Sequence, residues 1–173
     1  MLKTEIKYGI ITGLIICLWH LIEYFLGFHS YKMHIGEYTT YFVVIIPFIT
    51  LYLGIKEKRD KIYNGRISLR QGVRTGLMIS LIGTVIVAVY LIIYFNSINP
   101  NFLDLSIAYQ KSKLMSRGRT AEEITTEMDR LKFMFNFVNQ LLFGIIGLVT
   151  SGFIISFALS MLLKKNHNRT LLI

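Results

Sequence analysis

The sequence contains little charge, proline or cysteine. Of its 173 residues, 17% are charged, two are proline and one, Cys17, is cysteine. A single cysteine excludes an internal disulfide and a thiolate metal cluster. Hydrophobic residues make up 53% of the chain and come in long uncharged blocks, whereas a soluble domain distributes them in periodic stripes. This composition indicates a membrane protein.

Four of these blocks are long enough to cross a bilayer. A helix that spans the hydrocarbon needs roughly 17 to 25 apolar residues, and each block is expected to be helical because backbone groups in lipid must pair within the segment. Pro47 is expected to bend the second helix without ending it. We therefore expect an all-α fold, an integral membrane four-helix bundle that forms a single membrane domain over residues 1–173. The predicted spans are residues 8–28, 38–55, 75–95 and 137–163.

Basic residues concentrate at one set of helix ends. Twelve lysines and arginines lie before the first span, in the 56–74 segment and in the C-terminal tail, whereas the other two loops hold seven, and the 96–132 loop also holds five acidic residues. The positive-inside rule then predicts that both termini are cytoplasmic. The net charge of +9 is read as this orientation signal, and nucleic acid is not expected as a partner because the basic residues form no separate module. The glycosylation sequon at Asn168 lies in the predicted cytoplasmic tail and is not expected to be used.

Residues 96–132 form a connection long enough to have a structure of its own. A short amphipathic helix is expected from Phe102 to Met115, and Gly118 should end it. Thr120 and Glu123 form a capping box that predicts the start of a second helix. Together they predict an extracytoplasmic amphipathic helical hairpin between the third and fourth spans, which either caps the bundle at the membrane surface or docks a periplasmic partner. The second helix has one apolar face, which consists of Ile124, Met128, Leu131 and Phe135.

Several longer stretches have a familiar pattern. They are "NGRISLRQGVRTG" before the third span, "YFNSINPNF", "SRGRTAEEI" with "MDRLKF", and the closing "GIIGLVTSGFIISFALSMLLKK". On these stretches, which extend over nearly the whole chain, the sequence resembles an uncharacterised family of small four-span membrane proteins found mainly in Bacteroidota. The resemblance implies a bacterial inner-membrane location and four helices. It implies no activity and no site residues.

His20 and Glu23 form a candidate intramembrane polar site in the first span. They lie three residues apart, so they share a helix face, and ionisable groups within a membrane usually face the bundle interior or water. One interpretation is structural, as a hydrogen bond between helices or an interface anchor. A second is a proton- or ion-coupled role in which Glu23 carries the proton. A metal site with His29 and His34 is disfavoured because both are expected in a solvated loop, so no metal and no cofactor is expected.

Small residues indicate where helices pack closely. Glycine or serine residues three or four positions apart on a helix let two helix backbones approach each other, although the same pattern also suits a homodimer. Ser68 and Gln71 form a further capping box, so the third helix is expected to begin before it enters the lipid. The candidate packing residues are Gly9 and Gly13, Gly72 and Gly76, and Gly144, Gly147 and Ser151.

Motifs of known enzymes are missing from the sequence. It has no glycine-rich phosphate loop, no HExxH and no plausible Ser/His/Asp set, so an enzyme is not expected. We expect a non-enzymatic accessory or scaffold subunit in an envelope process, with the lipid bilayer and a membrane or periplasmic protein as partners. The alternative is a small oligomeric ion- or proton-coupled transporter that uses His20 and Glu23. An enzyme that acts on lipid is a third hypothesis.

Overall fold

A computed structural model of the chain describes residues 2–164 and is 85% helix, with no strand among those residues. The expected all-α fold is confirmed. Lys165, Asn168 and Arg169, which belong to the predicted cytoplasmic tail, lie outside the described residues. A 3₁₀ segment at Thr40–Val44 leads into α3, and a π-helical turn at Tyr94–Ile98 extends α4. The helices are α1 (Lys3–Phe25), α2 (Met33–Thr39), α3 (Ile45–Lys61), α4 (Leu69–Ile93), α5 (Phe102–Ser116), α6 (Ala121–Met134) and α7 (Phe137–Leu163).

Four helical stretches are long and apolar enough to cross a membrane, as judged by length and composition. The second of them combines α2, the 3₁₀ segment and α3. Pro47 lies in the first turn of α3, where its missing N–H group costs no hydrogen bond because the first four N–H groups of a helix have no partner within it. The stretches are Lys3–Phe25, Met33–Lys61, Leu69–Ile98 and Phe137–Leu163.

The helix α4 lies at the centre of the bundle and contacts α1, α3 and α7. It runs parallel to α1, and glycines allow the close approach. A Cβ atom on Gly9 would lie 2.6 Å from Cβ of Ile82, and one on Gly13 would lie 2.8 Å from Cβ of Ile86. Any larger residue at these two positions of α1 would push the helices apart.

Helices α4 and α7 are antiparallel and meet along a ladder of small residues, which we call the glycine–serine seam. At each of its three levels a glycine on one helix faces a serine on the other. Each serine hydroxyl donates to a carbonyl of its own helix, for example Ser160 to Ser156 at 2.6 Å. These hydroxyls therefore need no partner across the seam. The seam pairs Gly72 with Ser160, Gly76 with Ser156, and Ser80 with Gly152.

Helices α1 and α3 are antiparallel and are joined by polar contacts. Near the start of α1 the Glu5 carboxylate forms an ion pair with Lys58, and both residues are buried. Two turns further along α1, the Thr12 hydroxyl donates to that of Thr50 at 2.7 Å. The contact with Lys58 explains why α1 begins at Lys3, five residues before the predicted span.

The segment between α4 and α7 forms the predicted helical hairpin. Its first helix ends near Gly118, which has a φ of +70°, and its second begins with the predicted capping box. The Thr120 hydroxyl accepts from the Glu123 backbone at 3.2 Å, and the Glu123 carboxylate accepts from the Thr120 backbone at 2.9 Å. The box at Ser68 is also confirmed. No residue of α6 is buried.

Candidate functional site at the hairpin end of the bundle

A group of polar side chains is enclosed at the end of the bundle where the hairpin lies, which we call the hairpin end. Two members come from α1, one from the turn that follows it, and three from the end of α4 and its π-helical turn. Together they connect α1 to α4. This polar cluster consists of His20, Glu23, His29, Tyr90, Tyr94 and Asn99.

Four members of the polar cluster form a chain of contacts. The Asn99 amide donates to the Tyr94 hydroxyl oxygen at 3.0 Å, and that oxygen lies 2.7 Å from Nδ1 of His29. Because Asn99 already donates to Tyr94, the tyrosine can give its own hydrogen to Nδ1. The His29 proton then lies on Nε2, which is 3.6 Å from the Glu23 carboxylate.

His20 lies beside this chain and contacts it through its ring. Its Nδ1 is 3.0 Å from the Tyr90 hydroxyl. Its ring centroid is 4.4 Å from that of His29, and the Tyr94 ring lies edge-on at 4.5 Å. The structure therefore brings both predicted residues, His20 and Glu23, into one cluster.

The four residues of the chain of contacts are buried, whereas His20 and Tyr90 are half-buried. Tyr94 is 0% exposed, Glu23 2% and His29 5%. One carboxylate oxygen of Glu23, Oε1, has no hydrogen-bond partner among the described residues. Burial of an unpaired polar atom costs free energy. The hydrogen bonds within the cluster therefore do not explain why this oxygen is buried.

The expectation that His29 lies in a solvated loop is wrong, whereas His34 is exposed as expected. The reason is a tight turn after α1. Gly27 has a φ of +79°, and the Phe28 N–H group donates to the Glu23 carbonyl at 2.9 Å. This arrangement is a Schellman motif. It reverses the chain directly, so His29 lies back against the end of α1.

Tyr90, Tyr94 and Asn99 were not identified from the sequence. The two tyrosines lie one helical turn apart on the α4 face that meets α1, and the π-helical turn brings Asn99 back to Tyr94, whose carbonyl accepts from the Asn99 N–H group at 2.8 Å. π-Helical turns are frequent at functional sites. The tyrosine spacing within an otherwise apolar span is a signal that could have indicated the cluster.

A cavity of about 400 Å³ adjoins the polar cluster and is lined by both histidines. Helix α5 closes it on one side. The Glu37 carboxylate, which follows the turn after α1, holds this helix in place through Lys113 at 2.6 Å, Gln110 at 3.1 Å and the Tyr109 hydroxyl at 3.2 Å. Burial and the adjacent Glu37 carboxylate raise the pKa of Tyr109, so this hydroxyl remains a donor.

The candidate packing residues fall into two groups. Gly9, Gly13, Gly72 and Gly76 lie where α4 meets α1 or α7, as described above. The three on α7 lie outside the glycine–serine seam. A Cβ atom on Gly144 would meet Leu91 at 3.5 Å beside the cavity, and one on Gly147 would meet nothing within 4 Å. Ser151 is half-buried, and its hydroxyl donates to the Leu148 carbonyl at 3.1 Å.

The polar cluster does not have the geometry of a metal centre. Within residues 2–164, no three or more histidine, cysteine, aspartate and glutamate side chains are grouped so that they could hold a metal ion. His34, the fourth residue of the metal hypothesis, is exposed and is not part of the cluster. What the cluster can do chemically is connect helices, and pass a proton along its tyrosine, histidine and carboxylate groups.

Residues 7–165 match the model of a protein family described as "Protein of unknown function (DUF4199)". The matched region includes the polar cluster, the glycine–serine seam and the hairpin. No curated protein and no solved structure matches the chain. Because the family match extends over most of the sequence, the chain belongs to the DUF4199 family.

Proposed function

We propose that the chain is a four-span protein of the bacterial inner membrane with both termini in the cytoplasm. The four long helices alternate in direction, so Leu2 and Lys164 lie at the same end, opposite the hairpin end. Ten lysines and arginines of the described residues lie at that end, which favours a cytoplasmic location for it. Large apolar side chains are exposed along all four helices, as expected for surfaces that contact lipid.

Within that membrane, the chain acts as a non-enzymatic accessory or scaffold subunit of an envelope process. The observation that carries this proposal is the contrast between the two hairpin helices. Helix α5 is fastened to the bundle by Glu37, whereas α6 buries no residue and leaves its apolar face half-exposed. An uncovered helix that adjoins a fastened one is suited to contact with another protein. The partner is a membrane or periplasmic protein that binds α6.

The test is purification of the tagged chain from native membranes in mild detergent, followed by mass spectrometry of everything bound. A stoichiometric membrane or periplasmic protein is expected. Met128→Asp places a charge on the apolar face of α6 and should release the partner. Thr125→Asp places the same charge on the exposed face of that helix and should retain it. A purified chain without a partner protein, or equal release by both variants, would contradict the accessory role.

The second candidate function is a small oligomeric proton- or ion-coupled transporter. The chain of contacts from Tyr94 through His29 to Glu23 favours it, because these groups can carry a proton. The accessory role has more support, because a transporter needs a path through the bundle. Toward the end opposite the hairpin end, small residues pack α4 closely against α1 and α7, so the bundle is closed there. Transport predicts that the protein in liposomes moves protons or ions, and that Glu23→Gln abolishes this flux without loss of folded protein. Loss of stability without any change in flux supports the accessory role.

A further inference from the structure

The cavity beside the polar cluster has the size and lining of a site for a small lipid ring. Its volume of about 400 Å³ lies within the range of ligand pockets. Aromatic side chains contribute much of its wall and come from the turn after α1, from α4 and α5, and from the junction of α6 and α7. These rings are Phe28, Phe95, Phe102, Tyr109 and Phe135.

The charges around the cavity favour an uncharged ligand. No lysine or arginine is among the described residues that line it, and the nearby Lys113 is already paired with Glu37, so a lipid phosphate would find no unpaired cation there. Glu37 is its one acidic lining residue, and both carboxylate oxygens already accept from Lys113, at 2.6 and 2.7 Å. An ammonium headgroup would therefore have to displace that lysine. Charged lipids are disfavoured because they would be buried without a counter-charge.

His20 offers a hydrogen-bond donor to such a ligand. The Tyr90 hydroxyl, which has no other partner among the described residues, can give its hydrogen to Nδ1 of His20 at 3.0 Å. The proton of the neutral imidazole then lies on Nε2, for which no described residue supplies a partner. One N–H donor in an aromatic cavity suits a flat ring that carries an acceptor oxygen.

We propose that this cavity binds the ring of an isoprenoid quinone, with Nε2 of His20 donating to a ring carbonyl and the apolar tail leaving the cavity toward the lipid. Leu91 of α4 and Gly144 of α7 both line the cavity. Since glycine has no side chain, a larger residue at position 144 would project beside Leu91 into the cavity. The site requires binding only, with no electron transfer.

The experiment is a titration of the purified full-length chain in detergent with ubiquinone carrying two isoprene units. Quinones quench tryptophan fluorescence, and the single tryptophan, Trp19, precedes His20 in the sequence. Saturable quenching is expected. Gly144→Leu fills the cavity and should weaken binding at least tenfold, whereas Gly147→Leu, at a position with open space, should leave it unchanged. Elution volume and thermal melting check that both variants are folded.

His20→Phe provides a second variant in case Gly144→Leu does not fold. It keeps a ring but removes the donor, and the loss of one hydrogen bond should weaken binding by about three- to tenfold. Hexadecane, which has a tail but no ring oxygen, should not displace the quinone. Quenching that rises linearly without saturation, equal affinity in the Gly144 and Gly147 variants, or displacement by hexadecane would each overturn the assignment.

The inference rests on the proposed membrane location but not on the accessory role. A partner-free chain that binds the quinone would contradict only the accessory role. A chain that purifies with a stoichiometric partner but shows no saturable quenching would contradict only the quinone site. The two experiments therefore fail independently.

Discussion

The buried ion pair between α1 and α3 gives the sharpest test of the fold. The side chains of Glu5 and Lys58 are 2% and 8% exposed, and the second carboxylate oxygen of Glu5 has no hydrogen-bond partner among the described residues. Lys58→Met replaces the ammonium group with an apolar side chain of similar length. The carboxylate then remains buried with neither oxygen paired.

The size of the effect follows from this burial. Removal of one partner of a buried pair costs about 3–5 kcal/mol, because the remaining charge has lost its compensation. Replacement of both partners by apolar residues is often neutral or stabilising by about 1–4 kcal/mol. We therefore expect Lys58→Met to be strongly destabilising and the double variant Glu5→Met/Lys58→Met to recover the wild-type free energy of unfolding.

The assay is unfolding by sodium dodecyl sulfate in mixed micelles, followed by circular dichroism. Lys7→Met is the matched control, since Lys7 contacts Glu57 at 2.9 Å but its side chain is 52% exposed. An exposed pair is screened by solvent, so this variant should unfold almost like the wild type. A Lys58→Met variant as stable as the control, or a double variant as unstable as the sum of the single changes, would refute the reasoning.

Three further predictions concern the seam, the polar cluster and the hairpin. Gly76→Ala should destabilise the protein by about 1–3 kcal/mol because it overpacks the seam. Gly147→Ala lies in open space and should stabilise the protein by up to about 1 kcal/mol, because alanine has the higher helix propensity. Thermal melting would show whether the two effects have opposite sign. Tyr94→Phe leaves two hydrogen-bonding side chains without their shared partner and should cost about 1–3 kcal/mol in the same measurement, and an unchanged melting temperature would contradict the network. The Thr120 backbone N–H group and an adjacent arginine lower the pKa of Glu123. The capping box should therefore be fully formed above the ordinary glutamate pKa of about 4.3, weaken as the pH falls below it and be lost below the lowered pKa. Hydrogen exchange at the first turn of α6 measures this, and exchange that does not change with acidification beyond its intrinsic rate would count against it.

Local features of the structure could be predicted from the sequence because their causes are local. The helix predicted from Phe102 to Met115 ends one residue later in the structure, at Ser116. Both capping boxes form as predicted, since the hydroxyl and the carboxylate or amide that satisfy the first N–H groups lie three residues apart in the chain. Uncharged blocks of about 20 residues likewise predicted the four long apolar helices.

Only the two α1 residues of the candidate site could be predicted, because its other members are brought together by contacts between residues distant in sequence. His20 and Glu23 are conspicuous in an apolar block, and their spacing alone shows that they share a face. Their partners could not be predicted in this way. His29 and Tyr94 are 65 residues apart in the sequence, and no local pattern indicates that they are in contact. The turn at Gly27 that buries His29 could have been recognised from its position directly after the apolar block.

Small-residue patterns predicted positions on α4 better than on α7. Gly72 and Gly76 face α7, but the residues they meet are Ser156 and Ser160, which lie further along α7 than the predicted positions. Spacing identifies a face that permits close approach, but it does not identify the level at which two helices cross. That level depends on the connecting hairpin and on the complementary surface of the other helix.

The glycine–serine seam also fixes the relative height of α4 and α7 along the bundle axis. A displacement of α7 by one turn in one direction would bring Ser80 opposite Ser156, with two side chains in a space that now holds one. In the other direction, Gly76 would face Gly152 and leave a void. Both neighbouring registers are therefore penalised, one by overlap and the other by lost contact. Piston-like sliding of α7 is thus disfavoured, and any signal that crosses this bundle should travel by tilting or rotation of its helices.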